Sequence, residues 1–453
     1  MSTAATPPTE VAAPATAEPA AVSFAEAFRF WLKLGFISFG GPAGQIAIMH
    51  QELVERRRWI SERRFLHALN YCMVLPGPEA QQLATYIGWL MHRTWGGIVA
   101  GGLFVLPSLF ILIFLSWIYI AYGNLPVVAG LFYGIKPAVT AIVVQAAHRI
   151  GSRALKNNLL WGIAAASFVA IFAADLPFPV IVVAAALVGF VGAKLRPEFF
   201  KAGGGHGKAD QSFGPALIDD TTPTPPHARF SASHLALVLL AGGVLWAAPI
   251  ALVASLQGWD GTLAQMSWFF TKAALLTFGG AYAVLPYVYQ GAVGHYGWLS
   301  GTQMIDGLAL GETTPGPLIM VVAFVGFIGG WQSPDLAALF GPDQRFLAGA
   351  VAASLVTWFT FLPSFIFILA GGPLVETTHN DLKFTAPLTA ITAAVVGVIL
   401  NLALFFGYHV LWPKGFEGSF EWMSAIIAAG AAIALFRFKA NVIHVIAACA
   451  VVG

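Results

Sequence analysis

Residues 33–41 read KLGFISFGG, and residues 272–280, 239 positions later (272 − 33), read KAALLTFGG. The same spacing relates the Pro-Gly-Pro sequence at 76–78 to the Pro-Gly-Pro sequence at 315–317. Glycine and proline interrupt helices, because proline removes a backbone donor and glycine tolerates a sharp turn. The chain therefore contains one unit twice, and each copy carries two helix-breaking sequences.

Further matches extend the register of this repeat. Trp-Ile-Ser at 59–61 returns as Trp-Leu-Ser at 298–300, again 239 positions later (298 − 59). Leu-Pro-Ser at 106–108 returns at 362–364, now 256 positions later (362 − 106). The change of spacing predicts an insertion around 331–345. A unit repeated within one hydrophobic chain is the usual plan of a transporter, with the substrate held between the copies.

The composition indicates a membrane protein. Of 453 residues, 58% are hydrophobic and 10% are charged, whereas a soluble protein carries about 25% charged residues. The net charge of +2 gives no reason to expect a nucleic-acid partner, and we expect the lipid bilayer to surround the chain. Cys72 and Cys449 lie in apolar stretches, which excludes a disulfide framework. We find no metal-ligand spacing and expect no cofactor.

Hydrophobicity predicts an all-α polytopic membrane protein with about thirteen apolar segments, each near the length that crosses a bilayer. These segments are 24–48, 66–91, 97–121, 126–148, 158–174, 177–194, 234–256, 264–290, 303–330, 346–370, 384–408, 422–436 and 439–452.

The same reading divides the chain into five parts. Residues 1–22, rich in Ala, Pro and Thr, form a disordered tail, and residues 195–232, with Gly and Pro clusters, form a flexible cytoplasmic linker. The first membrane repeat covers 23–194 and the second covers 258–453. Residues 233–257 are an extra connecting span.

Basic residues set the expected orientation, because they favour cytoplasmic loops. They cluster near 149–156, 194–229 and 437–439, whereas the alternate connections contain none. This pattern predicts a protein of the inner membrane with its amino terminus in the cytoplasm.

Five arginines between 56 and 64 contradict this orientation if the first segment crosses once. The contradiction disappears if 24–48 and 66–91 each enter the membrane and return on the same side, and the repeat then predicts matching hairpins at 264–290 and 303–330. Simple spanning remains the alternative. In either case an odd number of crossings separates the copies, which predicts an inverted-topology repeat with broken or re-entrant helices.

The interrupted helices are the candidate binding site. Half-helices that begin at the breaks would direct free amides and positive dipole ends at the bilayer midplane, a geometry that suits an anion. The alternative is that the breaks are only tight packing points and that the lysines reach the headgroups. The candidate substrate-binding residues are Lys33, Ser38, Gly40, Gly41, Pro42, Pro76, Gly77, Pro78, Lys272, Thr277, Gly279, Gly280, Pro315, Gly316 and Pro317.

Three further charges lie in apolar segments and are not copied by the repeat. Glu79 follows the first Pro-Gly-Pro, Glu312 precedes the second, and Lys136 precedes Pro137. Burial disfavours the charged form of a carboxyl group, so protonation of either glutamate could follow substrate occupancy. The alternative is an ion pair, with Lys136 as a third cation or as the partner of Glu79.

The sequence from Phe30 to Pro42, followed by Leu75 to Ala80, resembles the chromate transporter family. The second copy, around 278–280 and 314–317, is similar to that family's second signature, and the likeness covers about 24–410. It resembles the long form of the family, with both halves in one chain. The resemblance implies export of chromate across the cytoplasmic membrane, hence chromate resistance, with sulfate as a competitor or alternative substrate.

Several functions remain to be separated. A secondary antiporter fits best, because the chain has no phosphate-binding G-x-x-x-x-G-K-[ST] sequence. The same architecture could import or exchange sulfate or another oxyanion, or form a passive anion channel. An intramembrane enzyme is disfavoured, since we find no H-E-x-x-H and no G-x-S-x-G sequence. A homodimer is a further possibility that the sequence leaves open.

Overall fold

The computed structural model describes residues 20–39, 41–123, 125–200, 213–278, 280–377 and 385–453. The predicted tail 1–22 falls almost entirely outside these ranges. Regular structure in the described ranges is helical, as predicted. The α-helices in chain order are α1 Phe24–Ile37, α2 Gly41–His50, α3 Glu62–Val74, α4 Glu79–Tyr122, α5 Pro126–Ala154, α6 Asn158–Ala174, α7 Phe178–Leu195, α8 Ala232–Gln257, α9 Thr262–Leu275, α10 Ala281–Tyr289, α11 Gly301–Thr313, α12 Val321–Gln332, α13 Pro334–Phe340, α14 Arg345–Thr377, α15 Thr385–Leu411, α16 Trp422–Phe436 and α17 Val442–Val452.

The chain leaves the helix at all four predicted breaks, which separate α1 from α2, α3 from α4, α9 from α10 and α11 from α12. One glycine in each break has a positive φ, a conformation that glycine adopts without a steric penalty. The values are 69° at Gly41, 125° at Gly77, 97° at Gly280 and 104° at Gly316.

Local structure repeats together with the sequence. The helices after the first break of each copy, α2 and α10, both run into one turn of π-helix, at Gln51–Arg56 and Gln290–His295. Ser61 and Ser300 then cap α3 and α11, each accepting a hydrogen bond from the amide three residues on. Such caps satisfy amides that a helix start leaves free.

In each copy a short connection joins the first hairpin to the second, at 57–61 and 296–300; we call this connection the tip. Aromatic packing holds each tip against the first helix of its copy, α1 or α9. The rings of Phe30 and Trp59 lie 5.0 Å apart between centroids, and their counterparts Phe269 and Trp298 lie 5.5 Å apart. Both pairs meet edge to face, a favourable arrangement of aromatic quadrupoles. The two copies thus fold their tips by the same contact.

One position at the tips differs in charge. The guanidinium of Arg57 lies 5.1 Å from the centroid of Trp59. In the second copy the ring of Tyr296 stacks on Trp298 at 4.4 Å. A cation–π contact in one copy is therefore replaced by an aromatic stack in the other.

The predicted insertion corresponds to a short additional helix. In the first copy α4 turns at His92 and Arg93, whose backbone leaves helical geometry, and continues to Tyr122. In the second copy α12 is followed by α13, bent by 73° from it, before α14 begins. Helix α13 lies within 331–345, where the spacing of the repeat changes.

Within the described ranges six helices are long and apolar enough to cross a membrane, namely α4, α5, α7, α8, α14 and α15, and a seventh is obtained if α12 and α13 form one bent span. The thirteen apolar segments are therefore not thirteen continuous spans. The breaks divide four of them into shorter helices, and α4 leaves helical geometry at His92 and Arg93, between the predicted segments 66–91 and 97–121.

In the first copy the broken segments α1–α2 and α3–α4 each start and finish on the same side of the molecule. Glu26, near the start of α1, is 3.8 Å from Arg57 at the hairpin tip. His92, where α4 turns, places its Nε2 2.9 Å from the carbonyl oxygen of Val22. The pair α1–α2 and the pair α3–α4 thus each return to the side from which they begin.

The second half of the linker packs against this same end. The amide of Ile218 donates to the carbonyl oxygen of Trp59 at 3.0 Å, and the amide of Ser61 donates to that of Ile218 at 2.9 Å. His227 lies 3.0 Å from the carbonyl oxygen of Trp89. Backbone pairing and packing thus hold part of the predicted linker, 213–228, against this end.

The corresponding ends of the second copy meet beyond the last turn of α8. Asp335, which follows α12, accepts hydrogen bonds from the amide and hydroxyl of Thr262 at 2.8 and 2.7 Å. Gln257, the last residue of α8, donates to the same carboxylate at 3.3 Å. The hairpins of the second copy therefore start and finish near the end of α8, and those of the first copy start and finish near its beginning.

Candidate functional site

The breaks of the two copies are paired with each other across the repeat. The amide of Gly77 donates to the carbonyl oxygen of Thr277 at 2.7 Å, and the amide of Gly316 donates to that of Ser38 at 2.8 Å. Each Pro-Gly-Pro of one copy is thus hydrogen-bonded to the Ser/Thr-Phe-Gly-Gly of the other. The four breaks are brought together in two reciprocal pairs.

A serine of the opposite copy closes over each Pro-Gly-Pro glycine. A β-carbon on Gly77 would lie 2.5 Å from Oγ of Ser364, and one on Gly316 would lie 2.9 Å from the β-carbon of Ser108. Ser108 and Ser364 are themselves repeat counterparts. The close approach leaves no room for any side chain, so both glycines are required for packing as well as for backbone conformation.

Two glutamines satisfy carbonyl oxygens at the breaks. The side-chain amide of Gln45 donates to the carbonyl oxygen of Gly316 at 2.5 Å, and that of Gln82 donates to the carbonyl oxygen of Pro76 at 2.8 Å. Both side chains are fully buried. Buried carbonyls need such partners, because leaving them unpaired is costly. The repeat copies neither glutamine, since valine stands at 284 and 321.

The helix starts beside these pairs carry free donors. Helices α2, α4 and α10 begin immediately after a break, as does the 3-10 turn Leu318–Met320. The first amides of a helix have no acceptor within the helix and carry the positive end of its dipole. Such ends, held against one another in the protein interior, can bind an anion through backbone hydrogen bonds.

The predicted hydroxyl pair, Ser38 and Thr277, is buried but not equivalent. Thr277 Oγ1 donates to the carbonyl oxygen of Ala273 at 2.7 Å, within its own helix. Ser38 Oγ is fully buried and has no hydrogen-bond partner among the described residues. The Ser38 hydroxyl is thus the one of the two that is free to donate to a ligand.

The two predicted glutamates lie at the breaks in different surroundings. Glu79 is half-buried at the first position of α4, and no hydrogen bond or ion pair of its carboxylate occurs within the described ranges. Glu312, near the end of α11, accepts a short hydrogen bond from the hydroxyl of Tyr282 on α10. Glu312 therefore links the two broken segments of the second copy.

The predicted lysines lie on α1 and α9, the helices that precede the first break of each copy. Lys33 is exposed on α1. Lys272 is half-buried, with its ammonium nitrogen 5.9 Å from the ring centroid of Trp268. Neither makes an ion pair with another described residue. Both positions suit a long side chain that extends towards a polar boundary along an apolar surface.

Lys136 pairs with Asp306 and not with Glu79. Its Nζ lies 3.4 Å from Oδ2 of Asp306, and Tyr119 donates its hydroxyl to the same oxygen at 2.8 Å. These residues line a cavity of about 310 Å³ together with Gln303 and Phe132. The charge partner left open by the sequence is therefore Asp306.

The remaining predicted residues belong to the breaks themselves. Gly40 and Gly279 lie outside the described residues. Gly41 and Gly280 supply the positive φ of the first break in each copy. Pro42 lies in the first turn of α2, and Pro76, Pro78, Pro315 and Pro317 flank the two glycines that form the reciprocal pairs.

Sequence reasoning missed the side chains that connect the copies. These are Gln45, Ser108, Asp306 and Ser364. Two signals were present: a carboxylate inside the apolar segment 303–330, and the matched Leu-Pro-Ser sequences, which we used only to set the register. No group of three or more potential metal ligands occurs in the described part of the chain.

Comparisons with known proteins agree with the earlier resemblance. A family model described as "Chromate transporter" matches residues 25–190 and 264–453. A chromate transport protein of Pseudomonas aeruginosa is 33% identical over 447 residues, covering 96% of this chain and 93% of that protein. A probable chromate transport protein of Synechococcus elongatus is 28% identical, covering 86% of each chain. A chromate transport protein of Cupriavidus metallidurans is 27% identical, covering 88% of this chain and 86% of that protein. No solved structure matches.

Proposed function

This chain belongs to the chromate transporter family, and from that premise we propose that it exports chromate across the cytoplasmic membrane as a secondary transporter and thereby confers chromate resistance. One observation supports this most directly: the breaks of the two copies exchange hydrogen bonds, Gly77 with Thr277 and Gly316 with Ser38. A tetrahedral dianion needs several donors that converge without a neutralising charge. Helix starts held by reciprocal pairing supply such donors.

The two copies face opposite sides of the membrane in this proposal. The tips of the first copy contact the linker that leads into α8, and the hairpin ends of the second copy contact Gln257 at its end. Helix α8 has 26 residues and so spans about 39 Å at 1.5 Å per residue. This supports an inverted-topology repeat around a common centre, with α8 as the extra span.

The broken segments re-enter the membrane without crossing it. Both ends of each pair in the first copy lie beside the linker, and the five arginines of its tip lie there too. Because basic residues favour the cytoplasmic side, this supports a cytoplasmic linker and a cytoplasmic amino terminus. The tip of the second copy, with no Lys or Arg between 291 and 302, faces outward.

The membrane potential favours export of a dianion. Moving one charge through 100 mV is worth about 2.3 kcal/mol, so two charges gain roughly 4.6 kcal/mol with the cell interior negative. That free energy corresponds to a concentration ratio across the membrane of more than three decades. Coupling to protons, if it occurs, would use Glu79 or Glu312, which lie beside the free helix starts.

Two other functions remain candidates. The site recognises charge and shape, so sulfate, also a tetrahedral dianion, is the expected competitor, and sulfate import or exchange is the second candidate function. A passive anion channel would need no movement of the copies. Its flux would not saturate and would not be stimulated by unlabelled anion on the opposite side of the membrane.

Radiolabelled chromate flux into inverted vesicles tests the proposal. We expect saturable uptake that rises when a potassium gradient with valinomycin makes the vesicle lumen positive, and that falls when sulfate is added. Vesicles without the protein are the control. Chromate uptake that is absent both with and without sulfate, or that does not saturate, would contradict a chromate exporter.

A further inference from the structure

A buried cluster of Arg64, Tyr86 and Glu376 lies at the linker end of the molecule; we refer to it as the linker-side latch. Arg64 Nη1 lies 2.6 Å from one carboxylate oxygen of Glu376, and the hydroxyl of Tyr86 donates to the other at 2.5 Å. The Glu376 residue is 5% exposed. Arg64 also donates to the carbonyl oxygen of Thr222 at 2.8 Å, so the linker covers the cluster.

A second cluster, of Tyr119, Lys136 and Asp306, lies at the opposite end; we refer to it as the far-side latch. Its carboxylate is also deeply buried, since Asp306 is 2% exposed, and it also receives one cation and one tyrosine hydroxyl. Oδ1 of Asp306 has no hydrogen-bond partner among the described residues. The cavity of about 310 Å³ reaches this cluster.

The latches occupy corresponding places in the repeat. Asp306 corresponds to His67 (306 − 239), and Tyr119 corresponds to Val375 (119 + 256). The contact between Tyr119 and Asp306 has a counterpart between the corresponding residues. Tyr119 donates to Asp306 at 2.8 Å, and His67 Nε2 lies 3.3 Å from the carbonyl oxygen of Val375. Each latch therefore connects the second hairpin of one copy to the far end of a long helix of the other copy.

Packing alone gives little reason for these clusters. A buried ion pair loses hydration that its attraction barely replaces, and apolar residues of the same volume often stabilise a protein as well. A buried ion pair differs from apolar packing in that its partners are specific and that both charges can be hydrated again when the surroundings open. Two such pairs, in the same region of the repeat and both across the boundary between copies, are placed where relative motion of the copies would separate them.

We propose that the two latches are the gates of the transport path, so that the oxyanion leaves the paired breaks towards one end only after the latch at that end opens. This rests on the proposed function, because a gate has meaning only if an anion passes. In the described structure both latches are formed.

Reversible cross-linking distinguishes a gate from a structural contact. Cysteines replace Arg64 and Glu376 in one variant and Tyr119 and Asp306 in another, each in a Cys72→Ala, Cys449→Ala background, and a short bifunctional methanethiosulfonate joins them. We expect each cross-link to lower chromate exchange flux at least tenfold and reduction to restore it. Flux that persists with either cross-link complete would overturn the proposal, since locking a merely structural contact stops nothing.

A matched contact controls for cross-linking itself. The hydroxyl of Tyr133 lies 3.1 Å from a carboxylate oxygen of Glu421, an exposed contact that also involves α5. The same reagent at Tyr133→Cys, Glu421→Cys should leave flux within twofold. If the uncross-linked latch variants and the parent protein all carry no chromate, the proposed function fails. If they carry it and the cross-links have no effect, only the gates fail.

Native Cys72 provides a second readout that needs no cross-link. It is fully buried on α3, two turns beyond Arg64. In a Cys449→Ala background, Glu376→Gln should raise its labelling by a water-soluble maleimide at least fivefold in inverted vesicles. Asp306→Asn, which loosens the other end, should leave that labelling unchanged. Equal labelling in all three proteins would contradict a gate at the linker side.

Discussion

Gly77 and Thr277 are 200 residues apart in the chain (277 − 77), yet the amide of the first donates to the carbonyl oxygen of the second at 2.7 Å. Gly316 and Ser38 form the same bond in the opposite sense. The amides of Gly77 and Gly316 thus find their acceptors in the opposite copy. The two halves therefore share one centre, and changes at any of these four positions should affect both.

Alanine at Gly77 or Gly316 should abolish transport. Both glycines have a positive φ, which costs a residue with a β-carbon of order 1–3 kcal/mol. The β-carbon would also strike Ser364 or Ser108. Thermal unfolding in detergent and chromate flux measure the two effects. Gly243→Ala on α8, where a β-carbon meets nothing within 4 Å, is the control and should keep both values.

Leucine at Gln45 should destabilise the protein. Its side chain is the donor to the carbonyl oxygen of Gly316, and a buried polar group left unpaired costs about 1–3 kcal/mol. Gln82→Leu should behave alike, because it leaves the carbonyl oxygen of Pro76 unpaired. Denaturant or thermal unfolding measures the loss. Full stability in both variants would show that water replaces the side-chain donors.

Glutamine at Glu312 or Glu79 tests proton coupling. If either carboxylate carries the proton, the variant should lose the dependence of chromate flux on an imposed pH gradient and keep exchange of labelled for unlabelled anion. Tyr282→Phe, which removes the hydrogen bond to Glu312 and leaves its carboxyl group, is the matched control and should keep the dependence. An unchanged response to the gradient in both glutamine variants would exclude them as carriers.

Alanine at Lys33 should leave at least half of the chromate flux, contrary to the expectation from sequence. Its side chain is exposed on α1 and makes no ion pair with a described residue. Lys272→Ala should behave similarly, since its ammonium group lies over Trp268. Flux at saturating and limiting chromate measures both. A loss of more than tenfold with normal membrane insertion would return the lysines to the binding site.

The breaks were predictable because each is a local event. Glycine and proline act on their own backbone, so the four sequences at 38–42, 76–78, 277–280 and 315–317 fix the interruptions wherever the chain goes. The pairing between copies was not predictable from one sequence. It depends on which ends meet in three dimensions, and Ser108 or Gln45 looks like any small or polar residue in an apolar segment.

The roles of charged and polar residues were not predictable from the repeat either. Lys33 and Lys272 repeat at the fixed spacing, which suggested a shared role, whereas Gln45 and Gln82, which donate to carbonyl oxygens at the breaks, are not repeated. Asp306 has histidine at the equivalent position, and Gln82 has valine. A repeat preserves the backbone scaffold, and the residues that differ between copies make the two ends of the molecule unlike.

The contrast between Arg57 and Tyr296 has a consequence for how the chain could have arisen. Both occupy the same aromatic socket, against Trp59 and Trp298. The same tryptophan packs against a guanidinium in one copy and a phenol in the other. After a duplication, a substitution at this position would therefore change the charge of one tip and keep its aromatic packing.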